Sequence, residues 1–230
     1  AGRGKPLRIC TVEAAEAELE AAKRIDALPL FTIEPDYPPL LAHLEMPPPM
    51  IYAKGRRELL TRPAIAIVGS RDASAAGRTM ARSLASDLGR AGLVIVSGLA
   101  RGIDAEAHAA ALQTGTIAVL AGGVDMIYPP ENADLHADIA ERGCLVSEMP
   151  PGFTARGQDF PRRNRIVSGI SNAVLVIEAA KRSGTLITAR TANEQGRDVF
   201  AVPGHPLDPR AEGTNHLLRA GATLVTSAAD

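Results

Sequence analysis

Seven short aliphatic runs, each followed by a helix-compatible or turn-forming stretch, constrain this chain more than any other feature. They are Ala64–Val68, Leu93–Val96, Ile117–Leu120, Leu145–Val146, Ala173–Ile177, Val199–Val202 and Thr223–Val225. Between them lie Gly77–Arg90, Asp104–Gln113, Asn132–Arg142 and Thr185–Gln195, all compatible with helix. The runs are continuously apolar rather than alternating, as expected of strands buried on both faces of a parallel sheet. Right-handed crossovers then give a doubly wound α/β fold. In such folds ligands bind at the carboxyl ends of the strands. That edge collects Gly69-Ser70-Arg71, Ser97 through Asp104, Ala121-Gly122-Gly123 and Glu178-Ala179.

Two of these turns carry an arginine: Val68-Gly69-Ser70-Arg71 and Ser97-Gly98-Leu99-Ala100-Arg101-Gly102-Ile103-Asp104. A strand–turn–helix corner presents backbone N–H groups and the positive end of a helix, which favours an anion. The guanidinium adds a permanently charged donor fork suited to phosphate. Ser183-Gly184 repeats the small-residue turn ahead of Thr185–Gln195. More basic residues crowd nearby: Arg156, Arg162, Arg163 and Arg165 around Phe160-Pro161, then Lys181 and Arg182 after Ile177-Glu178. A solvated surface explains any one of them alone. As a set with Arg71 and Arg101, they are expected to line one positive strip that tracks a nucleic-acid backbone. Aromatic residues make up only 3% and tryptophan is absent, so base stacking is expected to contribute little.

Other chemistry is disfavoured. The G-x-G-x-x-G fingerprint is missing after the first run, and no G-x-x-x-x-G-K-[ST] occurs. No cofactor is therefore expected. Asp104 and His108, at i and i+4 with Glu106 between them, could share a helix face but have no third ligand nearby, so no metal is expected, and Asp104 reads as a helix cap or first-turn acid. No nucleophile–base–acid set can be assembled. Glu148 and Glu178 read as carboxylates holding loop backbone. With a net charge of −1, any nucleic-acid binding must come from focused rather than bulk charge. The two cysteines, Cys10 and Cys144, fit a reducing, cytoplasmic setting, with Cys144 acting as a small buried hydrophobe. No apolar run reaches membrane-spanning length, so no membrane insertion is expected. The chain starts at Ala1 without a signal peptide and reads as part of a longer protein. Residues 1–28 are expected to form a helical segment with its helix over 11–28. Residues 29–62 are expected to form an ordered, proline-rich strap, and residues 63–230 the α/β domain.

In combination these motifs resemble the DNA-processing protein A (DprA/Smf) family. The resemblance rests on the two arginine turns with His108, and on Asp125-Met126-Ile127-Tyr128-Pro129 and Ser147 through Gly152. It includes Phe160-Pro161-Arg162-Arg163-Asn164-Arg165-Ile166 against the family's F-P-x-R-N-R-I. Ser183 through Ala189, Val202-Pro203-Gly204 and Gly213-Thr214-Asn215 complete it, so that it runs from about Tyr37 to the C-terminus. It implies an extended Rossmann-like domain that binds single-stranded DNA, forms a homodimer and helps load the RecA recombinase during natural transformation. It implies DNA contacts at Arg71, and more weakly at Arg162, Arg163, Arg165 and Lys181. The dimer surface would include His216, Leu217 and Leu218, which equally suit the core side of a helix. Thr185 stands where the family pattern has serine, and keeps the hydroxyl. Residues 1–28 would be a remnant of the family's helical N-terminal domain, and the chain stops at Asp230 ahead of its winged-helix domain.

Two other functions use similar donors. A nucleotide phosphoribohydrolase would carry P-G-G-x-G-T-x-x-E. This chain offers Ser183-Gly184-Thr185 and Glu194 but no double glycine. A small-nucleotide sensor would saturate with a mononucleotide, where a strand binder depends on length.

Overall fold

The computed structural model describes residues 10–230; the first nine residues of the expected 1–28 segment lie outside the described residues. In chain order the elements are α1 (Val12–Arg24), β1 (Ala27–Phe31), α2 (Pro39–Ala42), β2 (Met50–Gly55) and β3 (Ala64–Val68). They continue with α3 (Ala75–Arg90), β4 (Val94–Ser97), α4 (Ile103–Ala111), β5 (Thr116–Leu120), α5 (Ala133–Arg142) and β6 (Cys144–Ser147). The last are α6 (Asp159–Ile170), β7 (Ala173–Val176), α7 (Thr185–Glu194), β8 (Asp198–Ala201), α8 (Glu212–Arg219) and β9 (Thr223–Leu224).

All the strands join one sheet in the order β1-β2-β6-β5-β4-β3-β7-β8-β9. From β6 to β9 every neighbouring pair is parallel, while β2 runs antiparallel to both β6 and β1. The chain builds outward from β3 to β6, then returns to the other side of β3 with β7. The order therefore reverses between β3 and β7, where the loops leaving the two strands diverge and open a crevice.

The apolar runs are continuous because each strand feeds two cores. In β4, Val94 and Val96 join Ile166, Val167 and Ile170 of α6 and Ala189 and Ala192 of α7 on one face. Ile95 joins Leu84 of α3 and Ile103 and Ala107 of α4 on the other. A third cluster sets Leu120 and Leu145 against Ile139 of α5 and Ala22 of α1. Burying each of these large side chains contributes about 1.5–3 kcal/mol. Cys144 lies in the first of these clusters, with Val94 and Val96, and burial pushes its thiol up to about 12.

Four elements differ from the sequence expectation or were not part of it. The first helix ends at Arg24 rather than Leu28, because Ala27–Phe31 is already a strand. The proline-rich strap contributes β2, which extends the sheet beyond β6. Pro29 hides β1 from sequence reading, yet proline is compatible with an edge strand, where one row of backbone groups has no partner. The Phe160–Ile166 element forms the helix α6, whose Pro161 lies in the first turn, where a missing N–H breaks no bond.

Candidate functional site

A cleft of about 800 Å³ opens at the β3/β7 reversal. Gly69, Ser70 and Arg71 form one wall, with Gly98 and Ala100 behind them. Phe160, Arg163 and Asn164 of α6 form another, and Arg182 through Thr185 close the far side. Arg71 makes no ion pair among the described residues; its guanidinium lies 5.6 Å from the centre of the Phe160 ring. Tyr128, 54% exposed, stands 5.2 Å from the same ring. Arg182 is likewise unpaired among the described residues. The cleft thus offers two available guanidinium groups and an aromatic face, with Asp72 as the rim carboxylate.

The low aromatic content therefore conceals a local concentration, because two aromatic side chains distant in sequence meet at one rim. Phe160 and Tyr128 line the cleft although the sequence reading gave them no binding role, and Arg182, read as part of the basic strip, lines it as well. The motifs containing the two aromatics were the available signal. Beside the cleft a smaller recess of about 280 Å³ runs under Tyr128 and Phe160, lined by Leu120, Met126, Ile127 and Arg101. Arg101 lies 3.7 Å from Glu131, an exposed pair.

The Gly98 turn has its polar groups engaged internally. Leu99 adopts φ +56° and Gly102 φ +76°, so the backbone passes twice through the left-handed region. The buried Asp104 carboxylate accepts from the Gly98 N–H at 3.1 Å and the Ala100 N–H at 3.3 Å. Arg163, only 8% exposed, donates to the Gly98 carbonyl at 2.7 Å and to the Val119 carbonyl. Asn132 donates to the carbonyls of Leu99 at 3.0 Å and Ala100 at 3.3 Å. Burial raises the Asp104 carboxyl, against the opposing charge of Arg163 and these hydrogen bonds. Burial lowers the Arg163 guanidinium to about 10. Ser97 donates to the Ile67 carbonyl at 2.6 Å and is fully buried.

His108, one turn along α4, is also fully buried. The Thr116 hydroxyl donates to the Ile95 carbonyl at 2.8 Å, so the His108 Nδ1–H donates to Thr116 Oγ1 at 2.7 Å. Burial pushes the imidazole down to about 3.

An internal carboxylate also meets the α3 N-terminus. Glu178 accepts from the Ser74 N–H at 2.9 Å and pairs with the Ser74 hydroxyl, while Ser74 caps α3 by accepting from the Gly77 N–H at 2.9 Å. The anion preference of that corner is met from within, as the loop-holding reading of Glu178 anticipates.

The structure divides the other basic candidates. Arg162 and Arg165 turn away from the cleft toward Glu148, at 3.2 Å and 2.6 Å. Arg165 also donates to the Met46 carbonyl of the strap at 3.3 Å. Lys181 pairs outward with Glu212 at 3.1 Å. The expected strip is thus divided among the cleft, the Glu148 side of α6 and the start of α8 at Glu212. On α8, His216 is exposed and Leu217 and Leu218 are half-buried, with Leu217 packed on the main core. No cluster of metal-ligating side chains occurs among the described residues, and no helix there is long and apolar enough to cross a membrane.

The family model described as "DNA recombination-mediator protein A" matches residues 29–230. Protein Smf of Synechocystis sp. is 46% identical over 200 residues, which cover 84% of this chain and 50% of that protein, so the chain spans half the length of this relative. The X-ray structure of DNA processing protein A from Streptococcus pneumoniae superposes with a TM-score of 0.86 at 41% identity, covering 93% of this chain and 76% of that one. DNA processing protein A from Helicobacter pylori was solved to describe its single-stranded DNA binding mode. It gives a TM-score of 0.82 at 31% identity, covering 89% and 93% of the two chains. On the match over residues 29–230 and these likenesses, the chain belongs to the DNA recombination-mediator protein A family.

Proposed function

We propose that residues 63–230 bind single-stranded DNA in the β3/β7 cleft, as part of a recombination mediator that performs no covalent chemistry. The observation that carries this reading is Arg71, a permanent cation with no carboxylate partner among the described residues, lying beside Phe160 at the mouth of an open cleft. A phosphate paired with Arg71 would bring its nucleotide against the aromatic rim, which combines the two contacts that single strands use. Gly69, Ser70 and Gly184, whose backbone N–H groups have no backbone partner among the described residues, line the same cleft. Arg162, Arg165 and Lys181 are proposed as outer contacts that a strand reaches only by competing with Glu148 and Glu212.

Family membership supports the wider role: a homodimer through the α8 edge, including His216, Leu217 and Leu218, that assists RecA loading in the cytoplasm. The deciding experiment is fluorescence anisotropy of a labelled single-stranded oligonucleotide over a salt series, with wild type and Arg71→Ala. Binding should weaken with salt and fall sharply in the variant. Saturation by a mononucleotide with no dependence on length would favour the sensor instead, and base release from nucleoside monophosphates would favour the hydrolase.

A further inference from the structure

The Gly69–Arg71 turn is gripped from two sides. On the α4 side there is no space: a Cβ on Gly69 would lie 2.5 Å from Ile103 Cγ1, and one on Gly102 would lie 2.3 Å from the Ser70 carbonyl oxygen. The Ile103 N–H donates to that carbonyl at 3.2 Å. On the α7 side the hold is a single hydroxyl, as Thr185 Oγ1 donates to the Gly69 carbonyl at 3.0 Å. Ser183 Oγ lies 2.9 Å from Thr185 Oγ1 and accepts from the Thr185 N–H at 3.2 Å.

A hydroxyl has one proton. With the Thr185 proton committed to Gly69, the 2.9 Å contact requires Ser183 to donate to Thr185. The protons therefore run in one direction, from Ser183 to Thr185 to the Gly69 carbonyl. In a trans peptide the carbonyl and the following N–H point opposite ways. Fixing the carbonyls of Gly69 and Ser70 thus fixes the directions of the Ser70 and Arg71 N–H groups. We propose that Thr185 is a positioning residue for phosphate binding: its hydroxyl aims the Ser70 amide, and Ser183 serves this relay rather than donating to the ligand.

This inference rests on the single-strand reading above, deepens it, and differs from it at Ser183. The test compares Thr185→Val, Thr185→Ser and Ser183→Ala by anisotropy with a labelled single-stranded oligonucleotide over a salt series. Amide hydrogen exchange at Asp72 and Ile103, whose N–H groups are hydrogen-bonded to Ser70, accompanies it without DNA. Thr185→Val, nearly isosteric but without the hydroxyl, should weaken binding about tenfold. Its salt slope should stay close to that of wild type, because the Arg71 charge that neutralises the phosphate is retained. Exchange at Asp72 and Ile103 should accelerate. Thr185→Ser should recover affinity to within about twofold of wild type, and Ser183→Ala should cost less than about threefold. If Thr185→Val melts early, Thr185→Ala set against Thr185→Ser gives the same contrast.

Wild-type affinity in Thr185→Val, or unchanged exchange at Asp72 and Ile103, overturns the relay. A greater loss in Ser183→Ala than in Thr185→Val also overturns it, making Ser183 the phosphate donor. Binding indifferent to Arg71→Ala, with exchange still accelerated in Thr185→Val, would overturn the cleft reading while the relay stood. The role proposed for Thr185 in phosphate binding would then be lost with the cleft.

Discussion

The turns after β3 and β4 look alike in sequence, each with a serine, a glycine and an arginine at a strand's carboxyl end, yet the structure uses them in opposite ways. After β3, the carbonyls of Gly69 and Ser70 are held by Thr185 and Ile103, and the Arg71 side chain stays available beside Phe160. After β4, Asp104 takes the amides of Gly98 and Ala100, and Arg163 and Asn132 take the carbonyls. One turn can present polar groups to a ligand; the other has them neutralised inside the fold. What separates them is a buried carboxylate. Asp104 lies in the first turn of α4, where its oxygens reach back to the preceding amides. The β3 turn has no such residue: Glu178 reaches only the later cap at Ser74.

The contrast breaks most readily at Arg163. Arg163→Met leaves Asp104 buried without its cation, and the expected loss of stability is about 3–5 kcal/mol in urea denaturation. A loss under about 1 kcal/mol would show that the β4 turn does not depend on Arg163.

At the β3 turn the effect should appear in binding instead. Arg71→Ala should weaken single-stranded DNA binding by about tenfold to a hundredfold, in line with roughly 1.5–3 kcal/mol for a charged hydrogen bond. Its stability should move by less than about 0.5 kcal/mol. Arg101→Ala, whose side chain already faces Glu131, should cost at most about threefold. Equal losses in the two variants would erase the distinction between the turns.

His108 gives a pH-dependent handle on the interior behind the β4 turn. Its folded value is depressed from 6.5 to about 3, so between those values the unfolded chain binds a proton that the folded chain does not. Stability should therefore fall as pH drops below about 6.5, by about 1.4 kcal/mol per unit once well below it, until pH approaches 3. Denaturation at several pH values should show this slope, and His108→Gln should flatten it. A wild-type profile with no slope in that window would mean that the imidazole titrates in the folded state.

The smallest effect is expected at Arg162. Held by Glu148, it should give less than about a threefold loss on replacement by alanine in the same binding assay. A loss matching that of Arg71→Ala would extend the binding face from the cleft onto the Glu148 side of α6.

The sequence alone made the parallel core legible, because strands buried on both faces must be continuously apolar. Ala64–Val68 is a strand with the expected bounds, and the α3, α4, α5 and α7 segments are helices within one or two residues of expectation. It also placed the two arginine turns on one edge, since parallel strands end on the same side. Strand β1 was hidden by Pro29, which only an edge position accommodates, and α6 by a proline that only its position in the first turn makes harmless.

Tertiary structure alone decided which arginine is available. Arg162, Arg163 and Arg165 are near neighbours on one helix, but a helix turns about 100° per residue and sends them to different surroundings. Arg163 points under the Gly98 turn, while Arg162 and Arg165 meet Glu148. Charge is a property of the residue and can be read from the sequence. Whether a carboxylate or carbonyl already satisfies that charge depends on groups up to 119 residues away, which only packing brings within reach.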